Sequence, residues 1–91
     1  NIDIEKSNHH VVVCGWGRVG RAFVGTALRM GQSVIVIDQD EQRLSDCPVP
    51  WIVGDATDEA VLRAAQIDRA KALVAGPSTR PLLSDDLRHG P

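Results

Sequence analysis

The chain has 91 residues, 43% of them apolar and 24% charged, a globular composition that excludes a disordered tail, a collagen-like repeat and a low-complexity linker. That length holds at most one small domain or a piece of a larger one. Ten basic residues against twelve acidic ones give a net charge of −2, so there is no basic field to gather nucleic acid or anionic lipid. The apolar runs Val11 to Cys14 and Val34 to Ile37 fall far short of the ~18 residues that span a bilayer, so direct membrane insertion of this segment is not expected. Cys14 and Cys47 have neither Cys-x-x-Cys spacing nor the density of a secreted disulfide scaffold, which fits a reducing cytoplasm. The sequence opens at Asn1, without Met and without a signal-peptide pattern, as an excised or partial sequence would.

Residues 1–10 are polar and aperiodic and read as a lead-in or linker. Val11 to Cys14 is a continuous, largely β-branched run ending at Gly15, the pattern of a strand buried on both faces of a parallel sheet. From Arg18 the period changes: Val19, Ala22, Phe23, Ala27 and Met30 recur at spacings of three and four, predicting a helix with that apolar face, and Gly31 offers its stop. Ser33 to Ile37 predicts a second strand ending at Asp38, completing a strand–helix–strand unit. Asp40 to Asp46 predicts a short helical segment anchored by Leu44 and ended before Pro48. Trp51 to Val53 predicts a third strand, with Trp51 in the core.

Thr57 then reads as the N-cap of a helix running to about Gln66, with Asp58 and Glu59 favourably placed at its positive end. Ala72 to Ala75 predicts a fourth strand. Three of the five prolines lie beyond Gly76, where no further strand or helix is expected and residues 77–91 form an irregular tail. The fold class is therefore α/β: a Rossmann-like, doubly wound parallel sheet, truncated to four strands in spatial order 3-2-1-4, with the edge beside the fourth strand open.

Gly15-Trp16-Gly17-Arg18-Val19-Gly20 is a Gly-x-Gly-x-x-Gly between a predicted strand and a predicted helix, the setting in which that pattern holds a pyrophosphate. Gly15 permits the turn, Gly17 lets backbone approach a phosphate and Gly20 lets the helix lie on the strand, while N–H groups at the helix start, including those of Val19 and Gly20, face the ligand. The bland alternative is a glycine turn without a ligand. Asp38 ends the second strand eighteen residues after Gly20, where an acid accepts hydrogen bonds from ribose hydroxyls. Its charge repels a 2′-phosphate and no Arg follows within three positions, so NAD(H) or an adenine nucleotide (ATP or ADP) is favoured over NADP(H). Otherwise Asp38 is only a turn residue.

Arg18 is either a phosphate clamp or a plain exposed cation. Asp55, Ala56 and Thr57 follow the third strand on the ligand side of the sheet, where they edge the adenine or merely cap a helix. Gln39, next to Asp38, completes the candidate set. Trp16 shields the ligand or a subunit contact, Cys14 is a small buried strand residue and Cys47 a loop thiol. Asp55, Asp58 and Glu59 are helix-dipole partners rather than a cation site. His9, His10 and His89 assemble neither a metal site nor a nucleophile–base pair, so no catalytic residue and no metal ligand is assigned.

Residues 11–21, Val36-Ile37-Asp38, Gly54-Asp55-Ala56-Thr57-Asp58-Glu59 and Ala72-Leu73-Val74-Ala75 resemble, in order and spacing, the blocks of the N-terminal lobe of RCK domains, the TrkA-N family. The resemblance spans about residues 9–76, taken as a partial nucleotide-binding domain over 11–76, and the form of the first block looks most like the version tethered behind potassium channel pore helices. It implies a regulatory module, not an enzyme, that binds NAD(H), ATP or ADP and controls potassium transport through a channel or a Trk-type uptake system. The ligand would contact the backbone of Gly15 to Val19, the side chains of Arg18 and Asp38, and the Asp55–Thr57 segment. It further implies a cytoplasmic location at the inner face of the membrane, a pore or transporter partner, and homo-oligomers of the full-length protein. The family would continue through further helices and strands, so the tail implies truncation or a frameshift after about Ala75. Two alternatives stay open: the cofactor lobe of an NAD-dependent dehydrogenase, and an inactive truncated fragment.

Overall fold

The computed structural model describes residues 9–75 and the backbone of 78–81. The remainder of the lead-in and of the tail, His89 included, lies outside the described residues. In chain order the elements are β1 (Val11–Cys14), α1 (Arg18–Arg29), β2 (Val34–Asp38), β3 (Trp51–Val53), α2 (Glu59–Ala64), β4 (Ala72–Ala75) and β5 (Ser78–Pro81), with single 3₁₀ turns at Arg43–Asp46 and Ile67–Arg69. The sheet runs β3-β2-β1-β4-β5. The first four strands are mutually parallel, as the alternation of strands and helices predicts, with Val12 opposite both Ile35 and Leu73.

The continuous apolar runs of β1 and β2 are needed because both faces of the sheet are covered. Val11, Val13, Val34 and Val36 pack with Phe23, Val24 and Ala27 of α1 on one face. Val12, Ile35 and Ile37 pack with Val61, Leu62 and Ala65 of the α2 segment on the other. Leu44, fully buried, anchors the turn after β2 to the α1 face.

Four local expectations are corrected. The inward face of α1 is Gly20, Val24 and Ala27, with Phe23 partly buried, whereas Val19, Ala22 and Met30 are exposed. The phase of the helix is set by Gly20, whose lack of a side chain brings the helix down on β1. A methyl group there would collide with the Gly15 carbonyl oxygen and lie 3.2 Å from Val13 Cγ1. Asp58, not Thr57, caps α2: its side chain accepts the Ala60 N–H, and the helix is shorter than expected, ending at Ala64. Trp51 is 38% exposed because β3 is an edge strand, whereas Trp16 is only 4% exposed and belongs to the core. Finally, the sheet does not stop at Ala75: β5 pairs antiparallel to β4, with Ala75 opposite Ser78, so the edge expected to be open is paired.

His10, fully buried just before β1, places Nε2 2.7 Å from the Ala65 carbonyl oxygen. A carbonyl only accepts, so Nε2 carries the proton and donates. This bond fastens the end of α2 to the start of the sheet. His10→Leu, which keeps a side chain in the space, leaves that carbonyl unpaired and is expected to lower the unfolding free energy by about 1–3 kcal/mol. Urea denaturation of the two proteins checks it.

Candidate functional site

The carboxyl ends of β1 and β2 lie side by side, Cys14 opposite Ile37, and both chains must turn away there, which opens a cleft. Gly15 makes the first turn with a φ of +105°, a left-handed conformation that a side chain would strain. Its N–H donates to the Ile37 carbonyl at 2.7 Å. The following Trp16 N–H donates to Asp38 Oδ2 at 2.7 Å, and the Asp40 N–H donates to Asp38 Oδ1 at 2.8 Å. Arg43 places a guanidinium nitrogen 3.7 Å from Asp38 Oδ2. Burial pushes the Asp38 carboxyl up, but the backbone amides of Trp16, Asp40 and Gln39 and the Arg43 charge outweigh it and hold the group below its ordinary 3.8.

Two contiguous hollows make up the cleft. The larger, about 630 Å³, has Gly15, Asp38, Gln39, Arg43 and Ala56 among its walls. The smaller, about 270 Å³, lies over the glycine turn and is lined by Gly17, Arg18, Val19, Gly20 and Arg43, among others. Cys14 and Gly15 also border both, and burial pushes the Cys14 thiol up, leaving it protonated near neutral pH. At the start of α1 no side chain caps the free N–H groups, no acid occupies the first turn, and Arg18 is exposed with no ion-pair partner among the described residues. The site is thus electropositive over the glycines and negative at Asp38.

Most of the sequence-derived candidates meet here: Gly15, Gly17, Arg18, Val19 and Gly20 around one hollow, and Asp38, Gln39 and Ala56 around the other. Three do not. Trp16 turns inward, where its indole N–H donates to Asp46 at 2.9 Å and Arg21 stacks 4.8 Å from its ring, so it shields the core rather than the cleft. Asp55 accepts both the backbone N–H and the hydroxyl of Thr57, at 2.8 and 2.7 Å, so those two side chains hold a turn together. Sequence reasoning missed Arg43, having looked only three positions past Asp38; the 3₁₀ turn brings the fifth residue back to the carboxylate. It also passed over Cys14 as mere packing.

Because the folded Asp38 pKa lies below the unfolded one, its contribution to stability is complete above about pH 4 and is lost as pH falls through the lower folded value. Wild-type protein is therefore expected to lose stability on acidification below about pH 4, and Asp38→Asn to show a shallower loss there. Thermal unfolding of both proteins between pH 3 and pH 7, values bracketing the roughly pH 4 reference carboxylate, measures this.

The TrkA-N domain model matches residues 11–80, more than half of the chain. Potassium channel protein 1 of Methanocaldococcus jannaschii is 35% identical over 77 residues, covering 79% of this chain and 23% of that protein. Probable potassium channel protein 2 of the same organism is 35% identical over 78 residues, again 79% of this chain and 23% of that protein. The chain thus spans about a quarter of the length of these curated relatives. In the crystal structure of the TrkA-N domain of inner membrane protein ybaL from Escherichia coli, the shared fold gives a TM-score of 0.71 at 26% identity, covering 77% of this chain and 54% of that one. With the strand order, the glycine turn and the acid after β2 all in place, the chain belongs to the TrkA-N domain family.

Proposed function

We propose that this domain is a regulatory nucleotide-binding module, with NAD(H), ATP or ADP as ligand, that controls potassium transport through a channel or a Trk-type uptake system. The observation that carries the reading is Gly17. The backbone requires glycine at Gly15, and packing requires it at Gly20. Neither holds at Gly17: its φ of −110° is open to other residues, and a Cβ there would meet no atom within 4 Å. What the absent side chain leaves is clear space beside the uncapped start of α1, where exposed N–H groups and the helix dipole attract phosphate. Asp38 supports the same reading from the other wall. Each of its oxygens accepts one backbone N–H, and a carboxylate has about four acceptor sites, so capacity remains for ribose hydroxyls.

In this reading the chain performs no chemistry on its ligand. Regulation comes from a nucleotide that binds one arrangement of the whole protein better than another and so shifts the equilibrium between them. The names of the two potassium channel relatives support the transport assignment, with a pore or transporter partner at the inner membrane face and assembly of several copies in the full-length protein.

Thermal unfolding with ADP, ATP and NADH tests the binding step. A ligand at a hundred times its dissociation constant should stabilise the wild-type chain by about 2.7 kcal/mol. Gly17→Ala should keep the unliganded stability to within about 1 kcal/mol and lose the response. An equal response in the variant, or none in the wild type, would contradict the reading. In the full-length protein the same substitution should abolish the nucleotide dependence of potassium flux.

A further inference from the structure

Arg43 has no role in the reading above, yet it is the cation shared by both hollows of the cleft. Its contact with Asp38 is loose. At 3.7 Å it is well beyond the roughly 2.7–2.9 Å of a charge-assisted hydrogen bond, and the Arg43 side chain is 57% exposed, the setting in which ion pairs contribute little. Asp38 does not need it for position, since the short bonds from the Trp16 and Asp40 amides fix both carboxylate oxygens. The turn that carries Arg43 is itself well anchored, by the buried Leu44 and by Asp46, which accepts from Trp16 and Arg21 at 2.9 Å each. A weakly held guanidinium on a fixed stem, Arg43 borders the space over the glycine turn together with Arg18.

We propose that Arg43 is a specificity-determining residue: it leaves Asp38 for the ligand and, with Arg18, clamps the diphosphate group shared by ADP, ATP and NAD(H), so that the cleft selects diphosphates over monophosphates. This rests on the nucleotide-binding reading of the site. A planar fork of N–H donors suits two phosphate oxygens at once, which a lysine cannot copy. Release of Arg43 also returns the full charge of Asp38 to the ribose hydroxyls, so the two walls of the cleft act together on one ligand.

Isothermal titration of the 91-residue chain with AMP, ADP, ATP and NADH tests it, using wild type, Arg43→Gln and Arg43→Lys. Wild type should prefer ADP to AMP, and Arg43→Gln should weaken ADP by about tenfold or more, the scale of one lost charged hydrogen bond, with little change for AMP. Arg43→Lys should fall between them. ATP and NADH, compared with ADP, separate what a third phosphate or a nicotinamide half adds from what the shared diphosphate supplies. Equal weakening of AMP and ADP would overturn the proposal, because Arg43 would then act only through Asp38. Undiminished ADP binding by Arg43→Gln would overturn it too. If wild type binds ADP while Arg43 proves indifferent, only this proposal fails; if wild type binds none of the four, the nucleotide reading fails with it.

Discussion

The cleft depends on one buried carboxylate. Asp38 is 7% exposed at the end of a parallel strand, and a charge in such a place is costly unless donors surround it. Its donors come from two different turns: the Trp16 amide after β1 and the Asp40 amide after β2. Satisfying the charge therefore fixes both turns relative to the sheet, and the space between them becomes the site. The Asp38 carbonyl extends the same order to the next strand by accepting the Gly54 N–H at 3.0 Å. One residue thus connects the ends of β1, β2 and β3.

A second set of contacts ties the outer wall to α1. The Trp16 indole and the Arg21 guanidinium converge on the two oxygens of Asp46, each at 2.9 Å, and hold its carboxyl below the usual range. Arg21 begins its helical bonding by donating its N–H to the Gly17 carbonyl, so the turn bearing Arg43, the glycine turn and the first turn of α1 form one connected unit. Trp16 is thereby drawn inward, and its ring fills the α1 face of the core beside Leu44 and Val49.

Much of this was legible in the residues. Fully buried parallel strands need unbroken apolar runs, and β1 and β2 have them; Gly15, Gly20 and Asp38 stand where turn, packing and acceptor require them. What was not legible depended on long-range placement. Periodicity gave the helix α1 and the inward Phe23 and Ala27 but misplaced Val19, Ala22 and Met30, because Gly20, with no side chain to score, sets the contact with β1. Trp51 is exposed rather than in the core because only the sheet order shows that β3 is an edge strand, and Trp16 is in the core because its indole is drawn to Asp46 and Arg21. Arg43 escaped because proximity to Asp38 arises from a turn rather than from near neighbours in sequence. β5 is composed of Ser78, Thr79, Arg80 and Pro81, with no apolar run to mark it, and it is recognised by its ladder with β4.

The central claim is that the space between the glycine turn and Asp38 holds a phosphate-bearing nucleotide. Backbone amide chemical shifts of the isotopically labelled chain, followed during titration with ADP, test it most directly because they locate the ligand without any substitution. The account predicts saturable shifts concentrated at residues 15–20 and 38–43. No shifts, or shifts centred on the hollow at the opposite end of the sheet around Gly31, Val34 and Pro50, would contradict it.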